Sequence, residues 1–262
     1  MHAFDMSSRR AVRVVLTMAF IVALASAPHA RGATFQAKVY ESTSGAVLPY
    51  RLFLPAGYDA RQRYPLVLWL HGGGGRGNDN RRQLAEGNSV GSSIWTTDAN
   101  QARNPTIVVA PQCPSGAMWT TIGSAVKPTE QLRMVVELLR SLQRTYSIDP
   151  ARIYVAGQSM GGFAAWALIA EYPRLFAAAV PICGGGDERA AVRLRTVPIW
   201  AFHGELDRAV SVERSRRMIA AIRRAGGRPK YTEYKGVDHV VWNMAFAEPE
   251  LLRWVYAQRL QP

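Results

Sequence analysis

The chain has 262 residues, 48% hydrophobic and 19% charged, which is globular composition with enough length for one large core and too little for two generous domains. Its formal charge is +13, carried by arginines spread along the chain, and no zinc-finger, basic-zipper or RNA-binding pattern accompanies them. Nucleic acid is therefore not an expected partner, and the charge reads as solvated helix faces rather than as a site for an anionic polymer.

The start of the chain differs from the rest. Ser8-Arg9-Arg10-Ala11-Val12-Arg13 is a basic opening, and Val14 to Ala25 is an apolar run too short to span a bilayer comfortably. Small residues follow at Ala23, Ala25 and Ala27. The pattern predicts a secretory signal peptide over residues 1–27 and a catalytic domain over 34–262. It implies a secreted or periplasmic protein with no stable membrane anchor once the signal is removed. Ser8-Arg9-Arg10 also fits a twin-arginine start.

Beyond the leader, strand and helix signals alternate. Phe35 to Tyr40 and Tyr50 to Leu54 predict an opening antiparallel pair. Tyr64 to Leu70 is a continuous apolar run, read as a buried strand, and Thr106 to Ala110 is another. Thr129 to Tyr146 is a helix, because Leu132, Val135, Val136, Leu139 and Leu142 share one face. Arg152 to Ala156 is a buried strand, and Gly162 to Leu168 opens a helix. Phe176 to Ile182 and Val197 to Phe202 are further strands. Ser211 is placed to cap a helix that runs to about Ala225 and stops at Gly226-Gly227. Tyr231 to Tyr234 is a short last strand, and Pro249 suits the first turn of a closing helix to about Leu260. Strands alternating with helices imply a mostly parallel sheet covered on both faces. Such sheets carry their sites at the carboxyl ends of the strands.

Gly157-Gln158-Ser159-Met160-Gly161 sits between a predicted strand and a predicted helix. That context makes G-x-S-x-G a nucleophile elbow, a turn so sharp that the serine stands clear of the backbone. A serine hydroxyl needs a base, and the base needs an acid to hold its tautomer. Of five histidines, only His239 follows the last strand, as the order serine, acid, histidine requires. Asp207, just past the strand ending near Phe202, is the preferred acid; Asp187, Asp238 and Glu205 are its rivals. The oxyanion donors are expected to be the amides of Met160 and of Gly73, the latter in the HGGG-type run His71-Gly72-Gly73-Gly74-Gly75. No lysine follows those glycines at P-loop spacing, so a phosphate cradle is not expected. This chemistry needs no metal or organic cofactor.

These stretches carry a resemblance. The chain resembles α/β-hydrolases of the phospholipase/carboxylesterase-like group often labelled predicted peptidases, related to polyhydroxybutyrate depolymerases and feruloyl esterases. The matching segments are 50–55, 70–80, 110–114, 157–162, 181–187 and 203–207. The resemblance implies a single-domain α/β-hydrolase and supports Ser159, Asp207 and His239 as the triad. Relatives tend to carry glycine before the histidine, where this chain has Asp238. The usual strand order of that fold puts Cys113 and Cys183 about three strand spacings, or about 14 Å, apart, so both thiols are expected free.

Only a short connection separates Gly184 from Val197, so no large lid is expected. The longer insertions, 76–105 and 114–128, are expected to form the rim. Gln112, Trp119, Gln158 and Trp242 are candidate substrate contacts. The reading is an exported serine esterase acting on a small or polymeric ester. A serine peptidase on the same fold and a non-catalytic binding module are the alternatives.

Overall fold

The computed structural model describes residues 34–123 and 126–260. The expected signal peptide lies outside them. Eight strands form one sheet in the order β1-β2-β4-β3-β5-β6-β7-β8. They are β1 (Gln36–Glu41), β2 (Val47–Phe53), β3 (Tyr64–Leu70), β4 (Ile107–Pro111), β5 (Ile148–Gln158), β6 (Ala178–Ile182), β7 (Trp200–Gly204) and β8 (Lys230–Tyr234). β2 runs antiparallel to both β1 and β4, and every other pairing is parallel.

Every residue of β3 is buried, because both faces of the sheet are covered. Successive side chains point to opposite faces. Leu66, Leu68 and Leu70 join one core with α3 (Glu130–Thr145), α4 (Met160–Glu171) and α6 (Glu213–Arg224). Val67 and Trp69 join a second core with α7 (Trp242–Phe246) and α8 (Leu251–Ala257). The predicted face of α3 is the one it buries: Leu132, Val135, Val136, Leu139 and Leu142. This is a single-domain α/β-hydrolase, with an open, mostly parallel sheet and helices on both sides.

Several expectations are corrected. β5 begins earlier than Arg152 because its pairing with β3 resumes at Tyr64 and Ile148 across a bulge that takes up Pro150, a residue unable to donate to the ladder. Ser211 makes no side-chain cap on α6; its carbonyl accepts from Arg214 instead. The closing helix α8 is shorter than expected, Leu251–Ala257, with Pro249 ahead of its cap Glu250 rather than in its first turn, and the separate short α7 precedes it. The insertion 76–105 is not all rim. It contains α1 (Ser89–Ser93) and α2 (Asp98–Arg103), and its Trp95 is fully buried against Phe246 in the second core.

Between β6 and β7 the chain forms only a 3-10 turn and α5 (Ala191–Leu194), so no lid lies there. Cys113 and Cys183 are both buried and free. β3 and β5 stand between the strands that precede them, as the resemblance implied. Among the described residues, no helix is long and apolar enough to cross a membrane.

Candidate active site

β5 ends at Gln158 and α4 begins at Met160, so Ser159 makes the whole turn. Its φ of 52° and ψ of −117° put a non-glycine residue in a left-handed, strained conformation. The neighbouring chain leaves no room for side chains. A Cβ on Gly157 would overlap the Gly161 carbonyl, and a Cβ on Gly161 would overlap that of Leu70. Two glycines are therefore required for the serine to stand where it does.

The Ser159 Oγ lies 2.9 Å from Nε2 of His239. On the other side of that ring, Nδ1 lies 2.6 Å from Oδ2 of Asp207. Asp207 has the buried end of the chain of contacts and His239 the partly open one. The other carboxylate oxygen of Asp207 accepts from the amides of Ala209 and Val210, at 2.9 and 2.7 Å. Those bonds fix the carboxylate from behind. The thiol of Cys183 donates to the carbonyl of His239 at 3.2 Å, and so steadies the loop that carries the imidazole.

Met160 and Gly73 each open a helical turn, α4 and the 3-10 turn Gly73–Gly75. The first N–H groups of a helix have no acceptor within it, so both amides are available to a ligand. The glycine run reaches the elbow, since a Cβ on Gly72 would meet Gln158 at 3.5 Å.

The family model described as "Putative esterase" matches residues 44–247. The chain belongs to this esterase family. A crystal structure of a thermostable esterase superimposes with a TM-score of 0.81 at 39% identity, covering 86% of this chain and 63% of that one. Poly(3-hydroxyalkanoate) depolymerase C of Paucimonas lemoignei is 31% identical over 138 residues, half of this chain and 30% of its own length. A rice (Oryza sativa subsp. japonica) protein named "Probable carboxylesterase" is 26% identical over 209 residues, 71% of this chain and 85% of its own. The chain thus spans under a third of the depolymerase and less than two thirds of the thermostable esterase.

In this esterase-family chain, all four expected substrate contacts are buried or largely buried and engaged within the protein. Gln112 is fully buried and pins the glycine loop: its amide nitrogen donates to Gly75 O and Asp79 Oδ1, and its oxygen accepts from Asn80 N at 2.6 Å. Trp119 is fully buried under the loop, where its ring lies 5.2 Å from that of His71. Gln158 is buried and donates to Gly87 O at 2.7 Å. Trp242 is largely buried, edge-on to His239 with ring centres 5.6 Å apart, so it braces the imidazole.

The rival acids are engaged elsewhere. Asp187 forms an ion pair with Arg189. Glu205 accepts from Gly236 N. Asp238 accepts from the amides of Arg208 and His239, at 3.0 and 2.7 Å, which suits a loop staple where relatives tend to have glycine. Two neighbours of the site were given no role by the sequence, although His203 falls in the matching segment 203–207. Asn88 Oδ1 accepts from Gly72 N at 2.9 Å and ties the glycine loop to the insertion. His203, at the end of β7, touches Asp207 at 3.1 Å.

Among the described residues, Cys183, His203 and Asp207 are the one group whose ligand-type atoms fall within 4.8 Å of each other. Burial pushes the Cys183 thiol pKa up and the His203 pKa down. A protonated thiol and a hydrogen-bonded imidazole make this a polar cluster behind Asp207, not a ready metal cage.

Proposed function

We propose that the chain is an exported serine esterase that hydrolyses carboxylic esters through Ser159, His239 and Asp207. The observation that carries the reading is the continuous contact from Asp207 Oδ2 through His239 to Ser159 Oγ, at 2.6 and 2.9 Å, on a strained elbow. Ser159 Oγ attacks the ester carbonyl while His239 Nε2 takes its proton. Asp207 holds the Nδ1 proton and stabilises the imidazolium. The amides of Met160 and Gly73 receive the oxyanion. The imidazolium then protonates the departing alcohol. Water, activated by the same Nε2, cleaves the acyl-enzyme and releases the acid.

The substrate is a carboxylic ester, small or part of a polymer. Support comes from the family and from relatives named "Probable carboxylesterase" and "Poly(3-hydroxyalkanoate) depolymerase C". An open cleft of about 570 Å³ beside the base, lined by Arg208, Ala209, Val237, Asp238, His239 and Val240, suits either. Export is proposed from residues 1–27 and is tested by sequencing the amino terminus of the mature protein, expected just after Ala25 or Ala27.

The decisive experiment is a panel of acyl esters offered to wild type and Ser159→Ala. Turnover is expected to fall by about 10⁴-fold or more in the variant. Full turnover in the variant would remove the reading.

A further inference from the structure

His203 precedes Asp207 in the chain and has no place in a serine-acid-histidine order. Yet it is the second imidazole on the same carboxylate. Its ring is fully buried at the end of β7. Nε2 faces two acceptors: Val210 O at 2.9 Å and Asp207 Oδ2 at 3.1 Å. Neither a carbonyl nor an ionised carboxylate can donate, so the ring proton belongs on Nε2. With the proton on Nε2, Nδ1 is left to accept, and the Ser215 hydroxyl of α6 has two acceptors for its one proton: Nδ1 at 2.7 Å and Gly184 O at 3.2 Å. Burial lowers the pKa of His203, so the ring donates as a neutral group. Asp207, its side chain fully enclosed, thus has His239 Nδ1 at 2.6 Å on Oδ2 and the Ala209 and Val210 amides on Oδ1, while His203 Nε2, whose proton is shared with Val210 O, lies 3.1 Å from Oδ2.

The other titratable groups around this pair are accounted for. The Cys183 thiol approaches from the end of β6. Glu233 of β8 is held by Arg216 of α6 and by the Tyr231 hydroxyl. Asp238 of the last loop accepts from the backbone beside Arg208.

We propose that His203 is a positioning residue for the hydrolysis: by donating Nε2–H to Oδ2 of Asp207, it fixes that oxygen towards His239 and draws off part of its charge. The inference rests on the esterase reading above. A carboxylate with an extra hydrogen bond is a weaker base and stabilises a neighbouring imidazolium less. The acid limb of the rate profile is therefore expected to depend on whether His203 shares its proton with that oxygen. Remove the donor, and the carboxylate's charge concentrates on His239.

The test is the pH profile of kcat/KM on a soluble acyl ester for wild type, His203→Leu and His203→Gln. In His203→Leu the acid-side midpoint moves up by about half a pH unit or more, and kcat falls about tenfold while KM holds. His203→Gln keeps an N–H near the position of Nε2 and restores the wild-type midpoint. An unmoved midpoint in His203→Leu, or a Gln variant displaced as far as the Leu variant, overturns the inference and leaves the esterase reading intact. Absence of Ser159-dependent hydrolysis in wild type removes both. If His203→Leu fails to fold, nitrogen NMR of the wild-type histidines decides. A proton on Nε2 and a bare Nδ1 at His203 support the inference, and a proton on Nδ1 overturns it.

Discussion

The Nε2 of His71 accepts a hydrogen bond from the backbone amide of Cys113, at 2.9 Å. This bond ties the end of β3 to the end of β4 exactly where the glycine run leaves the sheet. Burial pushes the His71 pKa down to about 4, so the acceptor persists across the working range of a neutral imidazole base. His71 is thus part of the frame of the glycine loop. Gln112, one residue before Cys113, is the other part, through Gly75, Asp79 and Asn80.

Gln112→Ala should therefore loosen the loop without touching substrate. Its kcat is expected to fall about tenfold with the fold retained. Steady-state kinetics beside circular dichroism checks this. Unchanged kcat would mean the loop holds its shape without that side chain.

Gly161→Ala should damage folding itself, since the added methyl overlaps the Leu70 carbonyl on the neighbouring strand. The expected cost is about 3 kcal/mol or more, because backbone on both sides has to shift. Denaturant titration measures it. A loss below about 1 kcal/mol would mean that the elbow is less tight than its geometry.

How much of this was legible in the sequence depends on how local each signal is. The elbow was legible because strand, serine between glycines, and helix are adjacent. His239 followed from chain order, and the face of α3 from helical spacing. The packing of Gln112, Trp119 and Gln158 was not legible, because a polar or aromatic side chain near an expected site looks the same whether it faces substrate or props the loops. Asn88 and Trp95 were illegible: their partners, Gly72 and Phe246, are brought close by packing alone. His203 was visible as a residue, but its bond to Asp207 depends on the turn that follows β7.

Asp149 gives a pH dependence of stability. Burial alone would raise its pKa, but bonds and charges from Arg152, the Ala151 amide and Arg259 outweigh burial and hold it below its ordinary 3.8. A carboxyl depressed on folding stabilises the fold above its unfolded pKa, and that contribution is lost as pH falls through the folded value. Asp149→Asn is expected to lower stability at pH 7 by about 1 kcal/mol. The difference from wild type should shrink below about pH 4 and vanish in stronger acid. Thermal unfolding across that range checks it; a constant difference contradicts it.

Both thiols should be silent in the native protein. Cys113 is buried, which pushes its pKa up to about 12, and Cys183 is shifted upwards for the same reason. A thiol reagent should find no reactive cysteine before denaturation and two afterwards, with no reductant needed. Fewer than two after denaturation would indicate a disulfide.

The central claim is that Ser159 is the nucleophile activated by His239, and covalent capture tests it most directly. A fluorophosphonate probe, followed by mass spectrometry of the digested protein, should place one adduct on Ser159. His239→Ala should label far more slowly. Undiminished ester hydrolysis after complete probe treatment, or an adduct on another residue, would contradict the account.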